Sequence, residues 1–96
     1  MRSVYVVTYD ISDPGRLRRV AAVLLGYGDR LQLSVFRCEL SRLERIELQA
    51  RLESVIHHRE DQVLFVQLGP VDGRGDRSLA TIGRALTVQE RSAIVV

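Results

Sequence analysis

Lysine is absent from this chain, tryptophan is absent too, and its 96 residues hold one cysteine, one methionine and two prolines. Without lysine no Walker-type phosphate loop can be built, because that loop reaches the terminal phosphates with a lysine ammonium. A lone cysteine excludes an internal disulfide. With no apolar run of membrane length and no leader-like segment, the expected compartment is a reducing cytoplasm, with no membrane partner. Cys38 lies inside a strand-like run and reads as a small buried hydrophobe rather than a reactive thiol. What the chain does have is 46% hydrophobic residues, enough for one modest core and one domain.

Every one of the 14 basic residues is arginine. Genome base composition explains much of that, but not where the arginines fall. Residues 1–50 carry eight arginines against six acids, whereas residues 51–96 are balanced at six and six. Arg16, Arg18, Arg19 and Arg30 face only Asp29 in their stretch. Guanidinium binds phosphate through a planar two-pronged fork, so this cluster suits a nucleic-acid backbone. A solvated helix face is the plainer alternative.

Strand and helix patterns alternate along the chain. Residues 3–10 read as a strand with Val4, Val6 and Thr8 on one face and Tyr5, Val7 and Tyr9 on the other. Asp13 fits a helix N-cap and Pro14 the first helical position; Leu17, Val20, Ala21 and Leu24 then recur at helical spacing until Gly26-Tyr27-Gly28. Arg30 to Leu40 is extended and too long for one straight strand, so a break is expected near Ser34 and Val35. Ser41 and Glu44 form a capping box for a second helix with Leu48, Leu52, Val55 and Ile56 inward, running to about His57. Gln62 to Leu68 is the next strand, Gly69 to Asp76 a loop, and short strands are expected around Thr81-Ile82-Gly83 and in Ser92 to Val96. This order predicts an α+β, ferredoxin-like βαββαβ sandwich with an additional C-terminal strand, a single domain over 1–96.

Two helices cover one sheet face, yet the first strand and the strand at 62–68 are apolar on both faces. A two-fold homodimer joined through its sheets solves this, with residues 79–96 as dimer-associated strands and the apolar tail adding to the partner's sheet. A monomer with a curled sheet is the competing arrangement.

Asp10 stands at the tip of the first strand, just before an arginine-bearing helix. A carboxylate there needs a cation, a donor or water, and this one is placed to hold a metal against phosphate. One carboxylate holds Mg²⁺ poorly; two Asp10 side chains across a dimer axis would hold it better. Asp13 could serve as a base but is first of all a helix cap. His57 and His58 are adjacent on a helix and point apart, which argues against a metal pair. Tyr5, Tyr9 and Phe36 read as packing residues before stacking platforms.

Tyr9-Asp10-Ile11-Ser12-Asp13, Arg16 and Arg19, and Gly28-Asp29-Arg30-Leu31-Gln32-Leu33-Ser34-Val35-Phe36-Arg37-Cys38-Glu39-Leu40 together resemble the CRISPR-associated protein two family. The resemblance runs from about Val4 to Leu68; residues 71–96 depart most. It implies a cytoplasmic ferredoxin-like homodimer of an antiviral defence system. It implies a metal-dependent endoribonuclease or endodeoxyribonuclease acting on phosphodiester bonds. It also implies a brace for duplex DNA in a spacer-integration complex with CRISPR-associated protein one. Carried over, Asp10 is the catalytic metal ligand, Arg16, Arg19 and Arg30 contact nucleic acid, and Tyr9, Ser34 and Phe36 support them. DNA and single-stranded RNA are the implied substrates. A toxin-like messenger-RNA nuclease and a small-molecule-binding regulatory module of the same fold are the alternatives.

Overall fold

The computed structural model describes residues 1–73, 79–85 and 94–95. The elements run β1 (Arg2–Asp10), α1 (Pro14–Leu25), β2 (Gly28–Gln32), β3 (Val35–Ser41), α2 (Arg42–Glu53), β4 (Gln62–Pro70), β5 (Ala80–Thr81) and β6 (Ile94–Val95). Four strands make an antiparallel sheet in the order β2-β3-β1-β4, the ferredoxin-like arrangement.

Local chemistry sets the boundaries. Asp13 accepts the Arg16 amide at 2.8 Å and Pro14 opens α1, so two of the usual helix-start devices act together. At α2 the capping box is complete: Glu44 N–H donates to Ser41 Oγ, and Ser41 N–H donates to Glu44 Oε1. The extended stretch after Arg30 does break, in a turn at 33–34 that makes a β2–β3 hairpin.

Three expectations shift. The second helix stops at Glu53 rather than near His57, because Ser54 caps it and the Asp61 carboxylate takes the His57 amide at 2.8 Å. Val55 and Ile56 still pack against the core, from a turn. Leu17 is 38% exposed, so only Val20, Ala21 and Leu24 form the buried stripe of α1. Gly69 and Pro70 extend β4 instead of opening the loop, past a bulge beside Val4 and Tyr5.

Tyr5, Val7 and Tyr9 of β1 join Phe36, Cys38, Val20, Leu24, Leu48 and Leu52 in one core between sheet and helices. Burial pushes the Cys38 thiol up to about 11, with Asp29 adding to the shift, so it stays protonated and unreactive. On the opposite face Val4 is buried, Val6 and Thr8 are half-buried, and Leu64 and Val66 of β4 are exposed. Ala80 and Thr81 pair in parallel with Ile94 and Val95. The strand expected around Thr81-Ile82-Gly83 thus starts one residue earlier and ends at Thr81, and Gly83 has a positive φ of 88°. Ser92, Ala93 and Val96 of the expected tail strand, and Arg74 to Asp76 of the expected loop, lie outside the described residues.

Candidate nucleic-acid and metal site

The end of β1 meets the β2–β3 hairpin. Tyr9 is 7% exposed, and its hydroxyl donates to the Leu33 carbonyl at 3.2 Å while its amide donates to the Ser34 carbonyl at 3.2 Å. Its ring lies 6.2 Å from that of Phe36, which is wholly buried. The Arg30 guanidinium covers the Phe36 ring at 5.2 Å, a cation–π contact that fixes an otherwise mobile cation. The structure therefore brings Tyr9, Arg30, Ser34 and Phe36 together. Ser34 takes part through its backbone carbonyl.

Asp10 continues the same strand, paired along the backbone with Gln62, and its carboxylate is exposed. No described residue gives it a hydrogen bond or ion pair. Ile11, 6% exposed, pins the chain immediately after it. Arg18 and Arg19 follow on the exposed side of α1, also without a carboxylate partner among the described residues.

All of these residues fall within the stretch that a family model covers. The model, described as CRISPR associated protein Cas2, matches residues 2–72. The chain belongs to that family. It is 42% identical over 92 residues to the CRISPR-associated endoribonuclease Cas2 1 of Rhodospirillum rubrum, covering 96% of this chain and 89% of the relative. It is 36% identical over 96 residues to the CRISPR-associated endoribonuclease Cas2 of Geobacter sulfurreducens, covering the whole of both. Among solved structures, Streptococcus pyogenes Cas2 matches with a TM-score of 0.71 at 32% identity, over 83% of this chain and 99% of that one.

In this Cas2-family chain one of the expected contacts has a different engagement. Arg16 donates through Nε to Asp61 Oδ2 at 2.7 Å and through an Nη to Asp61 Oδ1 at 3.2 Å, with Glu60 at 3.1 Å from the same Nη. Asp61, whose side chain is fully shielded, ties the start of α1 to the turn before β4. Its hydrogen bonds from Arg16, and after them the His57 amide, hold its carboxyl below the usual carboxylate range against the opposing effect of burial. Asp61 thereby stabilises the fold above about pH 4 and loses that effect as pH falls through its depressed value. Asp61→Asn should lower the melting temperature at pH 7 by roughly 5–10 °C. It should also flatten the acid side of the stability–pH curve, which thermal melts between pH 2 and 7 would measure, in units tied to that linkage.

Asp61 carried no signal in the sequence beyond its charge, since its partner lies 45 positions away. The stack of Arg45 on Phe65, with the guanidinium 3.9 Å from the ring centroid, was equally invisible in a helix of mixed charge. His57 Nδ1 accepts the amides of Arg59 and Glu60, and His58 Nε2 lies 3.3 Å from the Glu53 carbonyl. Among the described residues no three acids, histidines or cysteines gather into a metal-sized cluster, and no helix is long and apolar enough to cross a membrane. A hard divalent cation needs several oxygen ligands. Asp10 suits such a cation as one exposed carboxylate without an ion-pair partner among the described residues, which gather no set of three candidate ligands around it.

Proposed function

We propose that this chain is a CRISPR adaptation protein that works as a homodimer and braces duplex nucleic acid on its arginine faces. The carrying observation is that Arg18, Arg19 and Arg30 are exposed cations without a carboxylate partner among the described residues, and that the exposed Asp10 likewise has no ion-pair partner there. Phosphate is the ligand such an array fits. Arg30 is held ready by Phe36, so little side-chain entropy is lost on contact. Arg16 serves this surface by fixing the start of α1 through Asp61.

The homodimer rests on the second sheet face, where Leu64 and Val66 are 54% and 40% exposed beside half-buried Val6 and Thr8. A self-complementary apolar patch is most simply covered by its own copy. Residues 79–96 are the proposed dimer-associated strands. The brace reading includes docking onto CRISPR-associated protein one in the cytoplasm.

The unpartnered Asp10 favours a second reading, a metal-dependent endonuclease on DNA or single-stranded RNA, in keeping with the endoribonuclease names of the matched relatives. Two Asp10 carboxylates, one from each protomer, would be the ligands. Bound Mg²⁺ would supply a Lewis acid that lowers the pKa of water and neutralises charge on the scissile phosphate. The chain's own part is to hold the phosphate with Arg19 and Arg30 and to keep Asp10 fixed between Tyr9 and Ile11.

Duplex binding followed against salt tests the first reading. Affinity should fall steeply between 50 and 200 mM salt, on the order of 10² or more for several phosphate contacts, with little dependence on base sequence. Binding that ignores salt would overturn it.

A further inference from the structure

At the opposite end of β1 an open cleft of about 530 Å³ lies between the first turns of α2 and the strands β1 and β4. Its size is that of a small-ligand site. Ser3 stands seven residues from Asp10 on the extended strand, so the Ser3 edge of the cleft is roughly 20 Å from Asp10.

The walls divide by chemistry. Tyr5, Phe65, Leu40 and Ile46 make an apolar and aromatic side. Ser3 and Gln67, joined by a 3.3 Å hydrogen bond, make a polar edge. Arg42 and Arg45 supply two positive charges, and neither has a carboxylate partner among the described residues. Arg45 is held rigidly: its guanidinium lies 3.9 Å from the Phe65 centroid and 5.8 Å from that of Tyr5, and it donates to Gln49.

These charges sit where local electrostatics disfavours them. Arg42 and Arg45 are the first and fourth residues of α2, and cations in a first helical turn oppose the helix dipole. The nearby Glu44 does not relieve them, because it caps the helix and pairs with Arg2 at 2.6 Å. Two first-turn cations in one cleft, Arg45 held on aromatic rings and neither paired with a carboxylate among the described residues, are the pattern of a binding site.

We propose that this cleft binds a phosphorylated nucleoside, either a free mononucleotide or the 5′-terminal nucleotide of a strand. The phosphate meets Arg42 and Arg45, whose forks suit it. The base lies along the Tyr5–Phe65 wall and the flat Arg45 guanidinium, which stacks on rings. Ser3 and Gln67 offer hydrogen bonds to its edge or to the sugar.

The test titrates the full chain with adenosine monophosphate, adenosine, inorganic phosphate, and a trinucleotide with and without its 5′-phosphate. Backbone amide NMR shifts give site and affinity. Shifts at Ser3, Arg45 and Gln67 are expected, with the monophosphate at least about tenfold tighter than adenosine or phosphate alone. Arg42→Ala, an exposed residue, should weaken binding about tenfold while the melting temperature stays put. Arg59→Ala, an exposed arginine outside the cleft and outside the proposed duplex-binding surface, should change neither. Preference for the 5′-phosphorylated trinucleotide would assign strand ends, and preference for the monophosphate a free nucleotide. No binding up to about 5 mM, equal binding of adenosine, equal binding of inorganic phosphate, shifts confined to Arg18 and Arg19, or an unaffected Arg42→Ala would each overturn the proposal.

Discussion

Gly28→Ala should destabilise the protein by about 3 kcal/mol, lowering the melting temperature by roughly 12–20 °C. Gly28 starts β2 directly against β3. A Cβ there would overlap the Arg37 carbonyl oxygen and lie 2.7 Å from Cys38 Sγ and 2.9 Å from Cys38 Cα. Two of those neighbours are backbone atoms, which cannot rotate away. The strands must part, and among the described residues β2 is an edge strand whose one sheet neighbour is β3. Cys38 is fully buried, so its sulfur has nowhere to retreat. Because β2 carries Arg30 and leads into the turn that holds Tyr9, the same substitution should weaken duplex binding. Gly73→Ala is the matched control. Its added Cβ makes only ordinary contacts, 3.5 Å or longer, and its melting temperature should stay within a few degrees of the parent. A Gly28→Ala protein as stable as that control would show that β2 and β3 do not approach as closely as described.

The largest functional effect should come from the double variant Arg19→Ala with Arg30→Gln. Each arginine that neutralises one phosphate contributes about one unit to the slope of log affinity against log salt. Removing both from each protomer should flatten the slope by at least about two units and weaken binding at 0.1 M salt by roughly 10²-fold. Glutamine at 30 keeps a side chain over Phe36 while removing the charge, so loss of packing is not confused with loss of contact. Fluorescence anisotropy with a labelled duplex over a salt series measures both quantities. An unchanged slope would place the nucleic acid elsewhere on the molecule.

The parts of this structure that were legible in the sequence are those set by neighbours along the chain. Asp13 with Pro14, and Ser41 with Glu44, announce their helices because caps act over three or four residues. The break at 33–34 follows from the length of the extended stretch, and Asp10 from its place at the end of an apolar alternation. What stayed hidden depends on residues distant in sequence. Asp61 ends α2 early by capturing the His57 amide and also binds Arg16, 45 positions away in the chain. Gly28 looked like a helix stop, whereas the strand behind it is what excludes a side chain there. Arg45 belonged to a mixed-charge helix until Phe65 of β4 came beneath it. Each of these is a tertiary contact, and no periodicity carries it.

The most direct measurement takes the purified chain and Asp10→Ala side by side, with labelled duplex DNA and single-stranded RNA, in Mg²⁺ and in chelator, scoring binding and cleavage in the same samples. A nucleic-acid brace predicts duplex binding of equal strength in both proteins, dependent on salt and surviving chelation. Metal-dependent cutting that vanishes in Asp10→Ala would add the nuclease activity to that role. Absence of duplex binding at 50 mM salt, or binding lost with Asp10 or with the metal, would contradict it.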